Sequence, residues 1–341
     1  MTRSNLNALK DKLTERDYVL LRDVEKYRLL TTRQIQRLHF DHTHPTPVAS
    51  ARACNRTLAR LRDVGVLKAL ERRIGGVRAG SAGFVWYIGF AGERILRMTD
   101  PGTSQRGRRN YREPSRHFVE HTLAVAEVAA QTIEAGRHGH LEVLELQTEP
   151  ASWQQSLSRF GPVQMLKPDL RLVTASGEYE HHWFIEADLD SEHLPVILRQ
   201  CAAYEAFRAT GRYQAAHGLF PAVLWVTPTG TRAAAIRAAV GASSALFRVC
   251  TAAEYLAVVT GRERRIHPCQ NKNYTLNPLR TCQKPEKQSC RSSISRPWRS
   301  ASKRTCTRSS ASSRSSAAPA SARRSAAPSR TGSPLRRMTL S

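Results

Sequence analysis

Three acidic residues in the stretch "MLKPDLRLVTASGEYEHHWFIEADLD", residues 165–190, have the type and spacing to do chemistry. Asp169 follows Pro168 at the head of one strand-like run, and Glu186 and Asp188 close the next. Residues two apart on a strand share a face, so Glu186 and Asp188 point the same way. Carboxylate oxygens suit hard cations such as Mg²⁺ or Mn²⁺. A metal held there would stabilise charge on a phosphodiester under attack and activate the attacking water. Glu127, upstream on a helical segment, is a further candidate ligand, and His121 on the same segment a supporting residue. Arg199 and Gln200 are the inward candidates on the helix that follows. The plainer alternative is an acidic strand end, solvated or paired with Arg199.

A second pattern, "HFVEH" at 117–121, matches HxxEH, which places two histidines and a glutamate on one helix face for zinc. Zinc proteolysis also needs a third ligand on a downstream helix. In a chain with 12 histidines the match carries little weight. His121 is better read as lying near the acidic strand ends. The chain contains no GxxxxGK[ST], GxSxG or GxGxxG, so nucleotide binding and serine hydrolysis lack a motif.

The elements that must position the acidic residues follow from periodicity. "SRHFVEHTLAVAEVAAQTIEA" has helical spacing, and "LEVLELQTEP", "KPDLRLVT" and "HHWFIEADL" alternate as strands. The helix "LPVILRQCAAYEAFRAT", the buried-type strand "FPAVLWVT", the helix "TRAAAIRAAVGA" and the strand "ALFRVCT" complete the series. The order α-β-β-β-α-β-α-β predicts a three-layer α/β core over 116–267. Trp183, Phe184 and Ile185 are expected inside, Tyr204 and Phe207 in helix packing, and His181 and His182 at the surface.

Upstream, residues 1–98 read differently. "LTERDYVLLRDVEKY" has Thr14 as a helix cap, and "LLTTRQIQRLHF" has Thr31 or Thr32. "TPVASARACNRTLARLRDVGVL" makes a third helix with Leu58, Leu61 and Val64 on one face. Two strand-like runs, "LKALERRI" and "FVWYIG", flank the turn "GGVRAGSAG". Three helices and a basic hairpin predict a winged helix-turn-helix, with its third helix in the major groove of double-stranded DNA. Arg52, Arg56 and Arg60 are the helix candidates for DNA contact, and Arg72, Arg73 and Arg78 the wing candidates for phosphate.

Charge agrees with a polyanionic partner. The 341 residues carry a formal net charge of +25, of which the segment from Asn271 onward contributes +15 and the preceding residues +10. A Gly/Arg/Pro-rich linker spans 99–115, and residues 268–341, rich in Ser, Arg, Ala and Pro, have the composition of a disordered tail. Two origins stay open for that tail: a genuine basic segment, or GC-rich coding DNA read out of frame. No run approaches the roughly 18–20 apolar residues of a membrane span, and the N-terminus lacks an apolar leader core, so a cytoplasmic protein is expected. The seven cysteines form no CxxC pair and read as free thiols.

Taken in order, "LLTTRQIQRL", "HTLAVAEV", "KPDLRLV", "WFIEADLDSEHLPVILRQCAAYEAF" and "FPAVLWVTPT" resemble the replication-relaxation family of actinobacterial plasmids and other mobile elements, over residues 14 to about 255. The acidic positions of the second region also look like the PD-(D/E)xK restriction-endonuclease-like fold. That likeness implies a lysine at position 188, where this chain has Asp188. The resemblance therefore implies an α/β (α+β overall) protein acting in replication or relaxation of plasmid DNA, with a nuclease-like domain impaired in catalysis. The alternatives are a Mg²⁺- or Mn²⁺-dependent endonuclease or nickase using Asp169 and Glu186, and a winged-helix transcriptional regulator. A homodimer and other replication or transfer proteins are the further partners such a role implies.

Overall fold

The computed structural model describes residues 3–70, 83–99, 114–156, 164–241 and 245–261. Arg72, Arg73 and Arg78, most of the 99–115 segment and the tail lie outside the described residues. Within them the fold is mixed α/β, as the sequence patterns predict.

The N-terminal elements are α1 (Arg3–Lys10), α2 (Glu15–Tyr27), β1 (Leu30–Thr31), α3 (Thr32–His39), α4 (Pro47–Asp63), β2 (Leu67–Ala69), β3 (Val85–Ile88) and α5 (Phe90–Thr99). Local sequence sets their starts. Thr14 and Asp17 form a reciprocal capping box at α2, Thr31 and Gln34 do so at α3, and Pro47 opens α4 behind the cap of Thr46. The three strands pair antiparallel in the order β1-β3-β2. Helices α1 and α5 and the short β1 add to the three helices and the hairpin read from sequence. Leu58 and Leu61 are buried as expected, whereas Val64 is 38% exposed. Helix α4 ends at Asp63, so Val64 leaves the apolar face, which Ser50 and Cys54 fill instead.

The following elements are α6 (Arg116–Arg137), β4 (Glu142–Thr148), β5 (Gln154–Ser156), β6 (Gln164–Leu166), β7 (Leu170–Ser176), β8 (Tyr179–Ala187), α7 (Leu194–Ala209), α8 (Arg212–His217), β9 (Ala222–Thr227), α9 (Gly230–Val240), β10 (Phe247–Thr251) and α10 (Tyr255–Val259). A five-stranded sheet runs β10-β9-β8-β7-β4, antiparallel from β4 to β8 and parallel from β8 to β10. Strand alternation divides its side chains. Leu170, Leu172, Trp183, Ile185, Leu224 and Val226 pack with α6 and α10 on one face. Phe184, Val223 and Trp225 pack with α7 and α9 on the other. The result is three layers. His181 and His182 lie inside β8 and are half-buried, not ahead of it at the surface.

Helix α6 also belongs to the N-terminal core, to which it gives Ala126, Ala129 and Ala130. Their small side chains allow α3 to come close, and polar groups then lock the contact. Arg37 of α3 donates to Glu127 at 2.6 Å and to both oxygens of Glu134, through Nε at 2.8 Å to Oε1 and through Nη2 to Oε2. Gln34 donates to the Leu123 carbonyl and to Glu127, and Arg137 donates to the Arg37 and Leu38 carbonyls. Such a forked guanidinium fixes orientation as well as distance. No helix among the described residues is long and apolar enough to cross a membrane.

Candidate functional site

The β7–β8 hairpin brings the first two acidic residues together. Its turn is two residues long, and Gly177 takes the positive φ (62°) that such a turn requires. Pairing of Leu170 with Ile185 then sets Asp169 beside Glu186 at the open end. They line a cleft of about 130 Å³ with His117 and His121 of α6, Lys167, Asp188, Glu192 and Gln200 of α7.

Each carboxylate in the cleft has its own partner. Asp169, buried, accepts from the Ala187 amide at 2.8 Å and faces His121 Nε2 at 3.2 Å, both through Oδ2. The hydrogen bond to Asp169, more than offsetting burial, holds the His121 imidazole above its ordinary value of 6.5. Glu186 accepts a short hydrogen bond from the Tyr204 hydroxyl. Burial, reinforced by the charge of Asp169, pushes the Glu186 carboxyl well above the usual range. Tyr204 lies one turn beyond Gln200 on α7, which lets both reach the cleft. It packs in the core as expected, but it also serves the site, and the Gln-Tyr spacing was the signal for that.

Asp188 does something else. It lies one residue past the end of β8, and its carboxylate is clamped by Arg232 of α9 through Nε at 2.8 Å and Nη2 at 2.9 Å. Arg232 and Asp188 are both buried, and the guanidinium also reaches Asp190 at 3.2 Å and the Glu192 carbonyl at 2.6 Å. Arg199, the partner considered from sequence, is exposed and does not line the cleft. Glu127 faces α3 rather than the cleft. Burial would raise its carboxyl, yet Arg37, Gln131 and Gln34 together bring it below the ordinary value.

Among the described residues no group of three His, Cys, Asp or Glu converges as a metal would need. A divalent ion held by two carboxylates and water remains compatible with the cleft. Asp169 Oδ1 and Glu186 Oε2 have no hydrogen-bond partner among the described residues, so this pair fits a hard cation, whereas Asp188 and Glu127 do not. His117 is within 2.9 Å of Ser191 Oγ and lies 6.3 Å from the His121 ring, in a stacked pair. Among the described residues the zinc pattern thus has no third ligand in place.

On the N-terminal elements, Arg52 and Arg56 are exposed one turn apart on α4 and have no acidic partner among the described residues. Arg60 is engaged differently: it donates at 2.5 Å to Asp17, which is 1% exposed. Its guanidinium satisfies the buried capping carboxylate of α2. Cys54, Cys201 and Cys250 are free and buried, and burial pushes Cys54 up to about 12 and Cys201 to about 11, which makes both poor nucleophiles.

A family model described as replication-relaxation matches residues 21–223, more than half of the chain. The chain belongs to the replication-relaxation family. The matched region holds the capping box of α3, all of α6, and the β7–β8 hairpin with Asp169, Glu186 and Asp188. It ends inside β9, before Arg232. No curated protein and no solved structure matches the chain.

Two predictions follow from the cleft. Arg232→Met leaves Asp188 buried and unpaired, and should cost about 3–5 kcal/mol in denaturant unfolding. Adding Asp188→Asn should restore part of it; a single variant as stable as the parent would show that the pair does not anchor α9. For His121, the folded value is raised, so its contribution is full below the unfolded value of 6.5 and is lost as pH rises through the folded one. The stability gap between the parent and His121→Gln should therefore be larger at about pH 5.5 than at about pH 9. A flat gap, or one that widens with pH, contradicts the pairing.

Proposed function

We propose that this family member is a DNA-binding protein of a plasmid or mobile element that acts in replication or relaxation of that DNA. The N-terminal order α2-β1-α3-α4-β2-β3 is the order of a winged helix-turn-helix, in which α4 would enter the major groove. The observation that carries the reading is the pair Arg52 and Arg56. They are exposed, with no acidic partner among the described residues, on the helix that this module uses for base contact, while Arg60 beside them is tied to Asp17. Arg72, Arg73 and Arg78 would extend the contact along the phosphates.

The second region would be a nuclease-like module that grips rather than cuts. Its helix and strand order and its acidic hairpin support the restriction-endonuclease-like reading. At position 188 the chain has an acid whose two oxygens are both held by Arg232, so the position serves the fold. A second reading, a Mg²⁺- or Mn²⁺-dependent nickase, is favoured by the free oxygens of Asp169 and Glu186. A metal there would supply an activated water and charge stabilisation.

Arg52→Ala combined with Arg56→Ala should weaken duplex binding by roughly 1–3 kcal/mol per lost specific contact. Mobility shift with a plasmid-derived duplex measures it. Unchanged binding would remove α4 from the interface and leave the winged-helix reading without its contact helix.

A further inference from the structure

The cleft carries a lysine that none of its carboxylates uses among the described residues. His121 is on Asp169 and Arg232 is on Asp188, whereas Lys167, exposed in the same cleft, has no acidic partner among the described residues. Its placement is built. The antiparallel pair β5–β6 matches Gln154 with Leu166, which sets Trp153 across from Lys167. The Lys167 ammonium rests 4.7 Å from the centre of the Trp153 ring. The backbone on both sides is pinned, by Leu166 in the core and by buried Ser152, which donates at 2.6 Å to the Pro168 carbonyl. Two residues on, Asp169 is fixed by the Ala187 amide. The backbone carrying Lys167 is thus anchored on both sides, and the Trp153 ring seats its ammonium at the cleft.

Resting on the DNA-binding reading above, we propose that Lys167 binds a backbone phosphate of DNA at the mouth of the acidic cleft. It would supply from the segment ahead of Asp169 the positive charge that position 188 does not. An aromatic seat suits this task, because it orients the ammonium without neutralising it, as a carboxylate would.

The test is binding of the full chain to a short fluorescein-labelled duplex, by anisotropy across a salt series. Lys167→Met should weaken binding and reduce the slope of log K against log salt by about 0.9, the value of one phosphate contact, while Lys167→Arg keeps both. Trp153→Leu should weaken binding in the parent but add nothing to Lys167→Met, since the ring acts through the ammonium. Arg199→Met, exposed on α7 outside the cleft, should leave the slope unchanged. A parent-like slope for Lys167→Met, with DNA still bound, overturns the Lys167 assignment alone. No binding by the parent chain at any salt overturns the DNA-binding reading and this assignment with it.

Discussion

Burial of helix α6 on two sides is the constraint on which the rest of the structure depends. One face gives Ala126, Ala129 and Ala130 to the N-terminal core, and the other gives Val128 and Ala135 to the five-stranded sheet. A helix buried this way cannot rotate without opening two cores, so its polar residues are held at fixed positions. Glu127 and Glu134 face Arg37 of α3, and His121, further toward the N-terminus, faces Asp169. The helix thus ties the N-terminal elements to the sheet and supplies one wall of the acidic cleft.

Within the cleft, three carboxylates close in sequence have three different physical situations. Asp169 has a histidine and an amide, Glu186 a tyrosine and a partly buried position beside Asp169 that raises its carboxyl, and Asp188 a buried guanidinium. Two like charges beside each other compete for ionisation, and that competition adds to the burial that raises the Glu186 carboxyl. Arg232 removes Asp188 from that competition and fastens α9 to the end of β8. An acid at 188 is thereby explained by the fold, with no chemistry required of it.

Much of the architecture was legible in the sequence because its causes are local. Strand-like runs marked β7 and β8, Thr14 marked the start of α2, and Thr31 or Thr32 that of α3. What was not legible is non-local. Arg232 follows Asp188 by 44 residues, and Arg60 follows Asp17 by 43, with no spacing rule to join them. The same holds for Glu127, which a helix-face argument assigns to the metal and the packing of α3 assigns to Arg37. Strands β5 and β6 are three residues each, too short to show a period, so the pairing that seats Lys167 on Trp153 left no trace. Those short strands matter, since they place the cleft's lysine, which has no acidic partner among the described residues.

The central claim is that the cleft contacts DNA without cutting it. The most direct measurement is incubation of the full chain with supercoiled plasmid in Mg²⁺ and in Mn²⁺, followed by protein removal and gel analysis of plasmid topology, with Asp169→Ala/Glu186→Ala run in parallel. The account predicts retarded plasmid before protein removal and intact supercoiled plasmid after it. Nicked or linear plasmid made by the parent chain but not by the double variant would contradict it and establish a metal-dependent nuclease.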